Sequence, residues 1–201
     1  MTWVRDDEAV RVAKLSVGPL DNNAYIVACA ATGAAVVVDA AAEAGRILDA
    51  CSGLDVQMVL TTHGHHDHIG ALDEVKDTLG VPWLLHLDDV DIAGRRPDEP
   101  IAHGDEFEVG EIVLHAIHTP GHTPGSVSFA VEPTLFSGDT LFPGGPGATR
   151  WEYSSFGQIM DAIEDRLFPL GDHTVVHPGH GGSTTIGDER PSAAAWRRRG
   201  W

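Results

Sequence analysis

Short apolar runs alternate with glycine- and proline-rich turns along this chain, the rhythm of brief strands separated by a few helices. Val10 to Val17 and Ala24 to Ala30 read as two strands joined through Gly18, Pro19, Asp21, Asn22 and Asn23, an opening hairpin. After a turn at Gly33, Val36, Val37 and Val38 continue as a buried strand ending at Asp39, and the Ala-rich stretch Glu43 to Cys51 predicts a helix stopped by Gly53. Val56 to Leu60 is the next strand; Ile69 to Leu79 has helical spacing and closes at Gly80. Trp83 to Leu87 returns to strand, and the polar stretch through Arg95, Arg96, Pro97 and Pro100 predicts an exposed connection. Further on, Phe107 to Val109 and Ile112 to Ile117 form a hairpin about Gly110. Val127 to Val131 and Thr134 to Phe136 form another about Pro133, Phe156 to Leu167 is an amphipathic helix, and Val175 and Val176 are a last short strand. Two β-rich halves, each needing helices over one sheet face, predict an α/β fold of four layers, two sheets face to face with helices outside.

Composition changes this picture little. At 201 residues one substantial core is possible and no linker divides the chain, so a single domain over 1–201 is expected, with the tail from about 192 to 201 frayed or docked on an acidic partner subunit. Charge excludes more: 13 Lys+Arg against 30 Asp+Glu leave −17, which opposes nucleic acid and anionic lipid as partners and favours a small-molecule substrate. Cys29 and Cys51 make no disulfide framework and read as buried reduced thiols. The N-terminus lacks an apolar signal region and no run approaches the ~18 apolar residues of a spanning helix, so a cytoplasmic protein is expected, with a homodimer among the oligomeric states left open.

Candidate chemistry concentrates in Thr61 to Gly70, TTHGHHDHIG, a loop between a strand and a helix. Imidazole nitrogen with carboxylate oxygen suits zinc, iron or manganese, and HxHxDH reads as two half-sites side by side, in place of a chance surface cluster. Three later stretches, TPGHTPGS from Thr119, FSGDTLF from Phe136 and HPGHG from His177, set His122, Asp139 and His180 where a strand meets a Gly- or Pro-rich loop. With the first loop they make seven candidates. His63, His65 and His122 would hold one ion and Asp67, His68 and His180 another, with Asp139 bridging.

These motifs, in this order, resemble the metallo-β-lactamase superfamily, and within it the short, single-domain form of the hydroxyacylglutathione hydrolases (glyoxalase II). The resemblance runs from the Asn22/Asn23 turn to His180 and implies the αββα sandwich, with His63, His65, Asp67, His68, His122, Asp139 and His180 as metal ligands and Asp39 beneath the metal loop as their support. Some features depart from relatives. Lactamases of the cysteine type carry Cys where Asp139 stands, the acyl-homoserine lactonases carry a tyrosine where this chain has Leu141 and Phe142, and superfamily nucleases need an inserted domain. The helical C-terminal domain of long glyoxalase II enzymes is also lacking.

The implied reaction is hydrolysis of a hydroxyacyl thioester by a hydroxide bridging two divalent cations, zinc foremost, with Asp67 orienting it and a thiol leaving without a general acid. No G-x-S-x-G elbow is present, and neither cysteine neighbours a histidine. The alternatives are a persulfide dioxygenase holding one iron through residues matching His63, His122 and Asp139, and, further off, a lactonase, a β-lactamase or a non-catalytic binding module. Arg150 and His66 are candidates for contacting substrate at the mouth. Trp151, Tyr153 and Phe156 either wall a pocket or pack the following helix, of which packing is expected, and His86, His103, His115, His118, His173 and His177 are expected to be strand-end or surface residues.

Overall fold

Fifteen strands and seven short helices build the computed structural model, which describes residues 2–200. The first sheet runs β1 (Thr2–Asp6), β2 (Val10–Val17), β3 (Asn22–Cys29), β4 (Ala34–Val38), β5 (Asp55–Leu60), β6 (Trp83–His86) and β7 (Glu99–Ile101) in spatial order, antiparallel to β4 and parallel thereafter. In the second, β8 (Glu106–Val109), β9 (Ile112–His118), β10 (Val127–Val131) and β11 (Thr134–Gly138) form a meander. A small ribbon of β12 (Leu141–Phe142) and β13 (Gly145–Pro146) intervenes before β14 (Val175–Pro178), which joins β11 in parallel and is edged by β15 (Thr184–Thr185). The helices are α1 (Ala44–Ala50), α2 (His66–Ile69), α3 (Leu72–Leu79), α4 (Val90–Ala93), α5 (Phe156–Ala162), α6 (Ile186–Glu189) and α7 (Ala193–Arg199).

Three apolar layers alternate with the predicted four. Between the sheets, Val10, Tyr25, Val36 and Leu60 of the first meet Leu114, Phe129 and Phe136 of the second. On the outer face of the first sheet, Ile26, Val37 and Trp83 pack against Ile47, Leu72 and Val75 of α1 and α3. Leu135 and Val176 of the second sheet do the same with Ile159 and Met160 of α5, and with Ile186 and Trp196. β3 is covered on both sides and so is buried at every position with no alternation, its polar Asn22 and Asn23 opening the strand.

Three local expectations are corrected, and the N-terminus adds a strand. The helix predicted over Ile69 to Leu79 is broken into α2 and α3, because a Cβ at Gly70 would come within 2.6 Å of the Ala41 carbonyl and Ala71 N–H is drawn to Ala40 O. The Arg95 to Pro100 connection ends in an edge strand, β7, and the charged N-terminus forms β1, where Arg11 lies over Trp3 at 4.1 Å. The tail over 192 to 201 is helical from Ala193 to Arg199. Trp196 is buried in the α5 layer and Arg197 bonds Asp161 and Glu164 of this same chain; Trp201 lies outside the described residues. Cys29 and Cys51 are buried free thiols, and no helix among the described residues is long and apolar enough to cross a membrane.

Candidate metal centre

The parallel pairs β4/β5 and β11/β14 bring four strand ends to one edge of the sandwich. Asp39 follows β4, Thr61 to His65 follow β5 and run into α2 at His66, Asp139 follows β11, and His180 follows β14. The β9–β10 loop supplies His122 at the same edge. All seven residues predicted from the sequence meet there.

His65 Nδ1 lies 3.0 Å from His63 Nε2 and 3.0 Å from His122 Nε2. On the other side, His180 Nε2 is 3.3 Å from His68 Nε2 and 3.4 Å from Asp67 Oδ2. Asp139 stands between them: Oδ2 is 3.5 Å from His122 Nε2 and 3.6 Å from His180 Nε2, and Oδ1 is 3.5 Å from His68 Nε2. Donor atoms within each group, His63/His65/His122, Asp67/His68/His180 and the linking His63/His68/Asp139, all lie within 4.8 Å of one another.

The outer nitrogens decide what these inner atoms are for. His63 Nδ1 donates to Thr62 Oγ1 (3.1 Å), His68 Nδ1 to Asp39 Oδ2 (2.8 Å), His122 Nδ1 to Ala148 O (2.8 Å), His180 Nδ1 to Leu20 O (2.9 Å) and His65 Nε2 to the Tyr153 hydroxyl (2.8 Å). Thr62 can accept because its own proton goes to Asp39 Oδ2 at 2.7 Å. Each ring therefore spends its N–H outward and turns a lone pair inward, the arrangement in which imidazole binds a cation. Asp139 Oδ1 is buried without a hydrogen-bond partner, a cost that a cation would remove. The donor set fits divalent metal ions.

Charge divides the two groups. Burial, reinforced by neighbouring rings, pushes His63 well below the usual imidazole range; burial takes His65 down to about 4 and lowers His122 as well. For His68 burial opposes the charge, but Asp39, Asp139 and Asp67 outweigh it and lift the ring to about 9. Burial also opposes charge on His180, while its hydrogen bond to Asp67 and the field of Asp139 raise it; the same bond holds Asp67 below the carboxylate range. The second group thus carries a surplus of negative charge that a proton balances and a cation would balance better.

Asp39 sits at φ +59°, a conformation uncommon for a residue with a side chain, and its Oδ1 accepts Thr62 N–H at 2.7 Å. It supports the loop directly, at the position the sequence resemblance implied. Asn22, until now only a turn residue, donates from Nδ2 to Asp67 Oδ2 at 3.0 Å. The expectation for Trp151 and Tyr153 is corrected: they stack on each other at 5°, and Trp151 lies 4.7 Å from the His65 ring and 5.2 Å from His122, so they wall the centre while Phe156 packs into the α5 layer. Arg150 is exposed and lies over Trp151 at 4.8 Å. His66 is exposed on the first residue of α2, outside every ligand group. His86, Asp88 and His118 form another cluster of donors, yet the two rings stack at 6° and 4.3 Å, so one ion cannot lie in both ring planes.

A family model described as the metallo-beta-lactamase superfamily matches residues 17–185. The chain is 33% identical to the hydroxyacylglutathione hydrolase GloC of Haemophilus influenzae, over 79% of this chain and 85% of that protein. Among solved structures it is similar to the BLEG-1 B3 metallo-beta-lactamase (TM-score 0.81, 32% identity, 90% of this chain and 96% of that one). It is also similar to ETHE1 from Myxococcus xanthus (TM-score 0.81, 29% identity, 92% and 84%) and to TTHA1623, solved in a di-iron-bound form (TM-score 0.78, 31% identity, 89% and 96%).

Proposed function

This chain belongs to the metallo-beta-lactamase superfamily and is a metal-dependent hydrolase, and we propose that it cleaves a small hydroxyacyl thioester with two divalent cations, zinc foremost and iron or manganese as alternatives. The observation that carries the two-ion reading is the outward bonding of all five rings around a carboxylate, Asp139, placed between two complete donor groups. In it His63, His65 and His122 hold one ion, Asp67, His68 and His180 the other. Cations held there would lower the pKa of water toward neutrality and polarise a carbonyl.

The chain's own groups supply the rest. Asn22 holds Asp67 by one oxygen, and this carboxylate, 32% exposed, aims a water at the substrate carbonyl. Trp151 and Tyr153 offer a flat wall for the acyl group. Arg150 reaches an anionic group of the thiol carrier, an attraction at the mouth of a chain whose net charge is −17. A thiol with pKa about 8.5 departs as thiolate without a general acid. Likeness to a hydroxyacylglutathione hydrolase over most of both chains supports this substrate class.

The zinc-loaded protein should release free thiol from a hydroxyacyl glutathione thioester without consuming oxygen. Faster opening of a β-lactam would overturn the thioester reading. Persulfide-dependent oxygen uptake by protein carrying one iron, without thioester cleavage, would replace it with the dioxygenase, which needs only His63, His122 and Asp139.

A further inference from the structure

Several glycines of the metal-loop motifs are not required by turn geometry, and two of them face one carboxylate. Gly64 separates His63 from His65, and Gly125 follows His122 by three positions; neither has a positive φ. Both face Asp89. A Cβ on Gly64 would lie 2.7 Å from Asp89 O, and one on Gly125 would lie 2.7 Å from Asp89 Oδ1. Contacts that close are available only to glycine.

Asp89 is fully buried in the turn Leu87–Asp89 after β6. Its Oδ2 accepts Gly64 N–H at 2.7 Å and Thr123 Oγ1–H at 2.7 Å; its Oδ1 accepts Gly125 N–H at 2.6 Å. One carboxylate thus receives two donors from the β9–β10 loop, around His122, and one from the loop after β5. Those loops belong to different sheets, and deeper down Val127 N–H also donates to Thr62 O at 2.8 Å. Ligand atoms 3.0 Å apart on separate loops hold their spacing only if the loops themselves are tied, and buried bonds to an ionised carboxylate are strong ties.

We propose that Asp89 is the positioning residue of the first half-site: by clamping Gly64 to Thr123 and Gly125 it sets the separation of His63 and His65 from His122. It touches no ligand ring and acts through backbone. The second half-site does not depend on it, since His68 is held by Asp39 and His180 by Leu20. The inference rests on the reading of the centre as two half-sites.

Asp89→Asn keeps the volume but presents an amide N–H to donors that the carboxylate accepted. Cobalt and zinc titrations of the full chain, followed by calorimetry and by the visible cobalt spectrum, would separate two binding steps, assigned with His65→Ala and His180→Ala. Asp89→Asn should weaken the first half-site about 10- to 100-fold, alter its cobalt spectrum and leave the other step unchanged. Thr123→Val, which removes one bond, should weaken the same step about 3- to 10-fold and decides the matter if Asp89→Asn does not fold. Both steps unchanged, or both weakened alike, would overturn the role of Asp89 while leaving the centre intact. A wild-type chain that takes up no metal would overturn the reading of the centre together with it.

Discussion

The two proposed half-sites use the same device, a buried aspartate behind a ligand loop, yet they differ in donor type, charge and exposure. The first offers three ring nitrogens, with His63 0% and His122 2% exposed and His65 half-buried, and burial disfavours the charged form of each ring. The second adds one carboxylate and is more open, with Asp67 32% and His180 23% exposed at the side chain although His68 is buried. A neutral, buried set selects by geometry and releases slowly; a charged, half-open set attracts cations from a distance and exchanges them with solvent. On the two-ion proposal, the difference predicts retention at the first half-site and a meeting of water and substrate at the more exposed second.

The largest break in that comparison comes from removing ligands. His122→Ala should lower turnover and metal content by more than the roughly 100-fold that loss of an outer partner costs, while His180→Ala should cost less at the first half-site and empty the second. Metal analysis of both proteins checks it, and equal loss of both ions in both variants would show one cooperative site. Next in size, Asp39→Asn keeps a residue that tolerates positive φ but removes the acceptor for His68 and Thr62. It should weaken metal retention about 10- to 100-fold, at the second half-site first, by chelator titration. Tyr153→Phe deletes one exposed bond to His65 and should cost only about 3- to 10-fold, confined to the first half-site and read by the same titration.

A last effect, on stability and not on the metal, concerns the scaffold beneath the second half-site. His177, on β14 below His180, is packed against Phe136 and Tyr25 and bonded to Ser183; burial, with Lys14 nearby, takes its pKa down to about 4. Its folded value lies below the unfolded one near 6.5, so between those values the unfolded chain binds the extra proton. Its contribution is complete above about pH 6.5 and is lost as pH falls toward 4, by at most about 1.4 kcal/mol per pH unit. Thermal unfolding of the metal-free protein between pH 4 and 7 should show a shallower slope in His177→Gln than in wild type; identical slopes would remove His177 from the account.

How far the centre was legible varies with sequence distance. HxHxDH is contained within one loop, so residue type and spacing alone mark it, and TPGHTPGS, SGDTLF and HPGHG announce themselves as strand-end loops. What holds those ligands does not announce itself. Asp89 reaches Thr123 across 34 positions, Asn22 reaches Asp67 across 45 and Tyr153 reaches His65 across 88. An aspartate in a polar turn and a tyrosine before a helix carry no local mark of such contacts, and the packing expected for Trp151 and Tyr153 was the wrong side of the same ambiguity.

The sequence by itself determined the layers and the donor set, because both are local: strand and helix periodicity sort apolar faces, and Gly- and Pro-rich turns place a polar residue at each strand end. Only the tertiary structure decided which ends share an edge, which ring nitrogen turns inward, and why Gly64 and Gly125 must be glycine. Those properties depend on distances between segments that meet only when the two sheets have packed, and hydrogen bonds at 2.6 to 3.0 Å register that packing in a way no run of neighbouring residues can encode.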